Sequence, residues 1–290
     1  MSLIVLMAVA ALAAAPQPRM PQDEVRWPPL SRTYREGDRL RYRIVQSETR
    51  NGVATVLTGE TAHEVVRDGA SLLEQVRWTR IGPPEAPDAR SEEARAVPPY
   101  TLSLEAGGEL ESPRPAGAVD LLGMITDLQT FWVAVSPGLG VDRLAEPGEV
   151  HVRPELIVGD FADGEAILSG RDCTRATLTL LSRDAGAAVV ETRFEPPEAS
   201  CLDGAVPADG RPPSNFRMVR KVGDQFLDLE GHESFVVTSR LDADDGKIRS
   251  AEMVNRLALH GRVCMDAGLT QCAPMPEVRR ERRVTLELVE

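Results

Sequence analysis

The chain is poor in aromatic side chains and in lysine, and it carries an excess of acidic residues. Phe, Trp and Tyr together make up 4% of its 290 residues, which disfavours the stacking platforms on which bases and sugars bind. Only Lys221 and Lys247 are lysines. The formal net charge of −12 repels phosphate backbones and gives no general attraction to anionic lipid. This composition argues against nucleic acid as a partner.

The sequence also lacks the short motifs that identify common catalytic and metal sites. It contains no Gly-x-Ser-x-Gly, no His-Glu-x-x-His, no Cys-x-x-Cys and no glycine-rich phosphate loop followed by Lys-Ser/Thr. The acidic run at 242–246 lacks two early oxygen ligands of a calcium loop, so it indicates a hairpin turn. The sequence therefore assigns no catalytic, cofactor-binding or metal-binding residue, and it favours a non-enzymatic protein.

The first fifteen residues, MSLIVLMAVAALAAA, carry no charged side chain. They are too few to span a bilayer, which takes about 20 residues, and they match the apolar region of a secretory signal peptide. We therefore predict export to the periplasm or the extracellular space, with no transmembrane span after cleavage. A buried N-terminal helix and an uncleaved membrane tether are the alternatives. Residues 16–36 are Pro-rich and predict a linker or arm, with Trp27 docking on the domain.

The four cysteines are Cys173, Cys201, Cys264 and Cys272. An even number in an exported chain indicates two disulfides and allows three connectivities. Cys264 and Cys272 are close enough in sequence to close a local loop, which leaves Cys173 to pair with Cys201. The spacing favours this pairing without excluding the other two. A zinc site built on His260 and two of the cysteines would lack a fourth ligand.

Most of the chain has the two-residue periodicity of half-buried strands. Leu40, Tyr42 and Ile44 alternate with arginines, and Asn51-Gly52 and Asp68-Gly69 are dipeptides that favour tight hairpin turns. Residues 37–81 therefore predict an antiparallel meander. Further strand patterns follow residue 149, whereas residues 82–98 are predicted to be a surface loop.

One helix is predicted, over residues 118–135, where apolar side chains recur at helical spacing. The fold class is thus mainly β: a curved antiparallel sheet of meanders and hairpins with one packed amphipathic helix. A single β-rich domain over 37–290 accounts for this pattern. Two β halves, about 37–110 and 150–290, joined by the helix, would account for it as well.

The function remains open at this stage. A helix across a twisted sheet can form a half-open ligand cradle, lined here by Ile125, Leu128, Phe131 and Trp132, although the same side chains could simply fill the core. We expect an exported, non-enzymatic binding protein for an apolar small molecule or an envelope protein. A structural or assembly module of the cell envelope is the alternative, and an enzyme with an unrecognised site is the third.

Two segments resemble a family of uncharacterised secreted bacterial β-sheet proteins to which no activity is assigned. They are the stretch from Arg240 to Met253 and the opening Gly-Asp-Arg-Leu-Arg-Tyr at 37–42. The resemblance covers about a tenth of the chain. It implies a β-sheet fold and does not imply an activity.

Overall fold

A computed structural model of the chain describes residues 27–50, 52–103, 113, 119–162, 166–198, 201–202 and 214–289. The predicted signal peptide (1–15) and the first part of the predicted arm lie outside these residues. Within them, twelve strands form one antiparallel sheet. The strands are β1 (Arg39–Arg50), β2 (Val53–Asp68), β3 (Ser71–Gly82), β4 (Tyr100–Leu102), β5 (Val150–Val152), β6 (Ile157–Phe161), β7 (Ile167–Arg183), β8 (Ala187–Glu195), β9 (Phe216–Val222), β10 (Gln225–Asp242), β11 (Ile248–Cys264) and β12 (Cys272–Leu288).

The strand order is β4-β3-β2-β1-β12-β11-β10-β8-β7-β5, with β6 beside β7 and β9 beside both β7 and β10. The first and last long strands pair along nine residues, from Tyr42 opposite Leu288 to Arg50 opposite Arg280. This pairing makes the two strand-rich stretches of the sequence parts of one continuous sheet. The predicted fold class, mainly β with antiparallel pairing, is confirmed.

The predicted helix is confirmed as α2 (Val119–Ala134). A second, short helix, α1 (Ser91–Ala96), occupies part of the segment predicted to be a surface loop. Ala94 of α1 is fully buried, so tertiary packing stabilises a helix of six residues that is too short to show periodicity. Among the described residues, no helix is long and apolar enough to cross a membrane.

The sheet curls around α2. The indole of Trp132 contacts Glu74 on β3, and the backbone oxygen of Ala134 accepts a hydrogen bond from Thr192 on β8 at 2.7 Å. Six strand-to-strand steps separate β3 from β8, which would span about 29 Å in a flat sheet at about 4.8 Å per step. Because residues 132 and 134 are neighbours on one helix, the sheet must bend until β3 and β8 both reach that helix.

Two short strands occupy the same position in the strand order and follow each other along it. Both β8 and β9 lie between β7 and β10, and Asn215 sits at the junction between them. Its buried side-chain amide donates to the backbone oxygens of Cys173 and Glu233, at 3.0 and 2.9 Å, and accepts from the Glu233 N–H at 2.8 Å. The amide thereby satisfies backbone groups where the ladder is interrupted.

The two predicted disulfides are present, Cys173 with Cys201 and Cys264 with Cys272. The first joins β7, close to the Asn215 junction, to a segment outside the strands. The second closes the hairpin between β11 and β12. Disulfides are typical of proteins that mature in an oxidising compartment.

The interior contains two apolar clusters. The larger one surrounds α2 and combines its side chains with those of both halves of the sheet. The smaller one comprises Phe216, Leu229, Leu257, Leu259 and Val278. The larger cluster is the main core, and it contains the four side chains of α2 that were predicted to line a cradle.

Candidate functional site

The four side chains predicted to line a ligand cradle all lie inside the main core. Ile125, Leu128, Phe131 and Trp132 each have 0% of their surface exposed. They belong to one cluster with side chains from the strands on either side of α2. The structure therefore places them between helix and sheet, closed off from solvent, and not along an open groove.

Trp132 does more than fill space, because its indole N–H donates a 2.6 Å hydrogen bond to Oε2 of Glu74. Glu74 lies on β3 and is completely buried. The imidazole of His63, on β2, is close to the same carboxylate, with 3.8 Å between Nδ1 and Oε1. The other ring nitrogen of His63 lies 2.9 Å from the hydroxyl oxygen of Thr61. Polar groups from β2 and from the helix thus surround this carboxylate in the core.

The counter-charge for this carboxylate comes from the predicted arm. Arg32 forms a hydrogen-bonded ion pair with Glu74, and both side chains are 0% exposed. The arm continues across the hairpin between β10 and β11, where the Thr33 N–H donates to the Asp245 carbonyl at 2.8 Å. Leu30 is buried with the main core. Residues 27–36 therefore pack on the domain and contribute a charged side chain to its interior.

Aromatic rings enclose the Arg32 guanidinium. Its central carbon lies 5.0 Å from the ring centre of Tyr34 and 6.0 Å from that of Trp132. Tyr42 packs edge-on against Trp132 at 5.3 Å between ring centres. Cations are attracted to the faces of such rings. We call Glu74, Trp132, Tyr34 and Tyr42 the cation enclosure.

The electrostatics of the pair favour two charged partners. Burial is the strongest influence on Glu74 and acts against the carboxylate, but Arg32, His63 and the Trp132 indole together hold the pKa of Glu74 below its ordinary value. Burial likewise acts against the charge on Arg32, yet the attraction of Glu74 raises the pKa of Arg32. The enclosure thus stabilises a cation next to a carboxylate in a dry interior.

Sequence reasoning missed this cluster, although part of the signal is present. Glu74 is in phase with Val76 and Trp78 on β3, so the alternation places its carboxylate on the buried face. His63 is in phase with Val65 on β2 in the same way. Arg32 has no such signal, because the arm has no periodic pattern.

A second polar group lies on the inner side of the sheet, beneath α2. The buried carboxylate of Asp127 is 2.8 Å from the guanidinium of Arg282, and Asn255 donates to Glu233 at 2.8 Å. Burial raises the pKa of Asp127 to about 6, although Arg282 and Arg280 act in the opposite direction. These residues come from α2 and three strands, and the Asp127–Arg282 charge pair links α2 to β12.

On the part of the surface that the structure describes, two open depressions have no lining residue from α2. One, of about 600 Å³, is lined by Arg217, Asp228, His232, His260 and Arg262 among others. Asp228 already pairs there with both arginines. The other, of about 580 Å³, lies on the sheet near Val236, Thr238 and Val254. In the described part of the chain, no group of three or more His, Cys, Asp or Glu side chains is placed to hold a metal ion.

No family model matches the chain, and no curated protein matches it. The resemblance drawn from residues 37–42 and 240–253 therefore stays a prediction. Among solved structures, the chain is similar to one described as showing lipid–protein interactions in lipovitellin, with 10% sequence identity and a TM-score of 0.43. The match covers 89% of this chain and 26% of lipovitellin, so the chain spans about a quarter of that protein's length.

Proposed function

We propose that this chain is an exported, non-enzymatic binding protein that accepts an apolar small molecule between α2 and the curled sheet. The observation that carries the proposal is the position of α2. One sheet wraps around a helix whose Leu121, Met124, Ile125, Leu128 and Phe131 side chains are all fully buried. Sites for apolar ligands are lined mainly by apolar and aromatic side chains, and the layer between α2 and the sheet has this composition.

The contacts of α2 are mostly of a kind that a ligand can replace. Polar contacts fasten it at Trp132, at the Ala134 carbonyl and at Asp127. Its buried apolar side chains pack against those of the sheet, and such contacts have no directional requirement. An apolar molecule that inserts beside the helix would exchange one set of these contacts for another, at the cost of a small helix displacement.

Export is supported by the two disulfides and by the uncharged N-terminal run. Both features are typical of proteins that fold outside the cytosol.

The test uses the delipidated full chain and the neutral fluorescent probe N-phenyl-1-naphthylamine. We expect saturable probe binding at one site and a matching mass increment in native mass spectrometry. Leu128→Ala should tighten binding severalfold, because the truncation enlarges the interior space beside the helix. Leu257→Ala is the matched control: the same residue type in the smaller apolar cluster, where truncation should leave probe affinity unchanged. Absence of binding to both the original chain and Leu128→Ala would rule out the proposal.

A further inference from the structure

We propose that the cation enclosure is a binding site for an organic monocation of the guanidinium or alkylammonium class, and that Arg32 of the arm fills it as an exchangeable internal occupant. This site borders the apolar interior proposed above at Trp132, and it differs from it in its recognition element, a buried carboxylate framed by aromatic rings.

The enclosure has the two features that cation recognition requires. Glu74 supplies a full negative charge with 0% exposure. Trp132 and Tyr34 present their rings to the guanidinium at 6.0 and 5.0 Å, and Tyr42 packs against Trp132 at 5.3 Å between ring centres. Attraction between a cation and an aromatic ring increases when both are removed from water.

The fit of Arg32 itself is incomplete. Its Nε and Nη1 atoms are buried and reach no acceptor with good hydrogen-bond geometry among the described residues, and the adjacent Tyr42 hydroxyl is buried without a well-aligned partner as well. Leaving buried donors unpaired costs free energy. A cation with fewer donors, or one free to reorient, avoids part of this cost, so an external ligand can compete with the arm.

The arm is attached in a way that permits exchange. Residues 27–36 belong to no strand or helix. Thr33 bonds to the Asp245 carbonyl, Leu30 inserts into the core, and Trp27 lies 5.2 Å from the Arg183 guanidinium. The arm packs closely against the β10–β11 hairpin at Gly246, which has a φ of +68°. A Cβ at this position would collide with the Ser31 carbonyl, so the close approach of the arm requires glycine. Glu36 also pairs with Arg67 at 2.8 Å on the surface. Because residues 27–36 join no strand ladder, side-chain contacts and isolated backbone hydrogen bonds hold the arm, and these can be exchanged one at a time.

The first experiment empties the enclosure and refills it. Arg32→Ala should lower the melting temperature, and methylguanidinium at millimolar concentration should restore it in a saturable manner. We expect a rise of about 3 °C at ten times the dissociation constant. N-methylurea, which has the same shape without the charge, should have no effect. Arg32→Ala combined with Glu74→Gln should lose the response to methylguanidinium.

Two controls separate the enclosure from general salt effects. The original chain should show no saturable shift in this range, because Arg32 already fills the site. Arg171→Ala removes an arginine from an exposed pair with Asp160 and should show no response either. If Arg32→Ala does not fold, Arg32→Gln provides the same test. Equal responses to methylguanidinium and N-methylurea, or no response at all, would overturn the site.

The second experiment tests exchange in the original chain. Chymotrypsin cleaves after aromatic residues, and Tyr34 is protected while it packs on Arg32. High methylguanidinium should compete with Arg32, release the arm and accelerate cleavage after Tyr34 severalfold, as read by mass spectrometry. N-methylurea should leave the cleavage rate unchanged. If methylguanidinium does not accelerate cleavage, Arg32 is a fixed structural residue and the exchange is refuted.

Discussion

The indole N–H of Trp132 and the carboxylate of Glu74 are joined by a 2.6 Å hydrogen bond in an interior that excludes solvent. The bond links the last turns of α2 to β3, and the same carboxylate pairs with Arg32 of the N-terminal arm. One buried acid therefore fixes the positions of three segments that are far apart in the sequence. Its removal should affect all three.

Glu74→Gln should destabilise the fold by about 3–5 kcal/mol, because it leaves the buried Arg32 charge uncompensated. The glutamine oxygen can still accept from Trp132, so the loss reports on the charge. Equilibrium unfolding in urea at neutral pH measures the effect. Asp160→Asn, which weakens the exposed pair with Arg171, is the control and should cost far less, because solvent screens exposed ion pairs. A loss for Glu74→Gln no larger than that of the control would show that the buried pair does not stabilise the fold.

The regular elements were predictable because their signals are local. Alternation of Leu40, Tyr42 and Ile44 and the turn dipeptides determine strands and hairpins over a few residues. Helical spacing around Leu128 determines α2 in the same way. The spacing of the cysteines favoured the disulfide pairing that is present, but it left two other connectivities open.

The polar cluster around Glu74 was not predictable, because its members come together only through the long-range geometry of the fold. Arg32, His63, Glu74 and Trp132 come from the arm, two strands and the helix. The register between β2 and β3 places His63 opposite Val76, so that His63 is a diagonal neighbour of Glu74. Trp132 reaches the same carboxylate because the curl of the sheet brings β3 against α2. Neither the curl nor the path of the arm has a signature in a single sequence. The alternation could have shown only that Glu74 faces inwards.

The two disulfides should contribute unequally to stability. Their partners are 28 and 8 residues apart, and a longer closed loop removes more entropy from the unfolded chain. Replacing Cys173 and Cys201 by alanine should cost about 3.6 kcal/mol in that model, against about 2.5 kcal/mol for Cys264 and Cys272. Urea midpoints of the two double variants, each under oxidising conditions, measure the difference. A greater loss in the Cys264/Cys272 variant would contradict the loop-length account.

The free energy of unfolding should depend on pH through the carboxyl group of Asp172. Burial raises the pKa of this carboxyl to about 6, and the neighbouring carboxylates of Glu233 and Asp160 act in the same direction. A folded-state pKa above the ordinary value of 3.8 means that the ionised form opposes folding. The cost is absent below about pH 4, develops as the pH rises towards 6, and is complete above it.

Asp172→Asn removes that cost while keeping the size of the side chain. We expect the variant to be more stable than the original chain by about 1–2 kcal/mol at pH 8, a value reduced for the partial exposure of the group. The gain should shrink as the pH falls from 6 to 4. Asp184 is the matched control: it is an exposed acid whose pKa lies below its usual range, because it accepts hydrogen bonds from the Gly186 and Ala187 backbone. Asp184→Asn should therefore lose stability at pH 8, so urea titrations of the two variants should give effects of opposite sign. A pH-independent difference for Asp172→Asn would show that the change acts through packing and not through its charge.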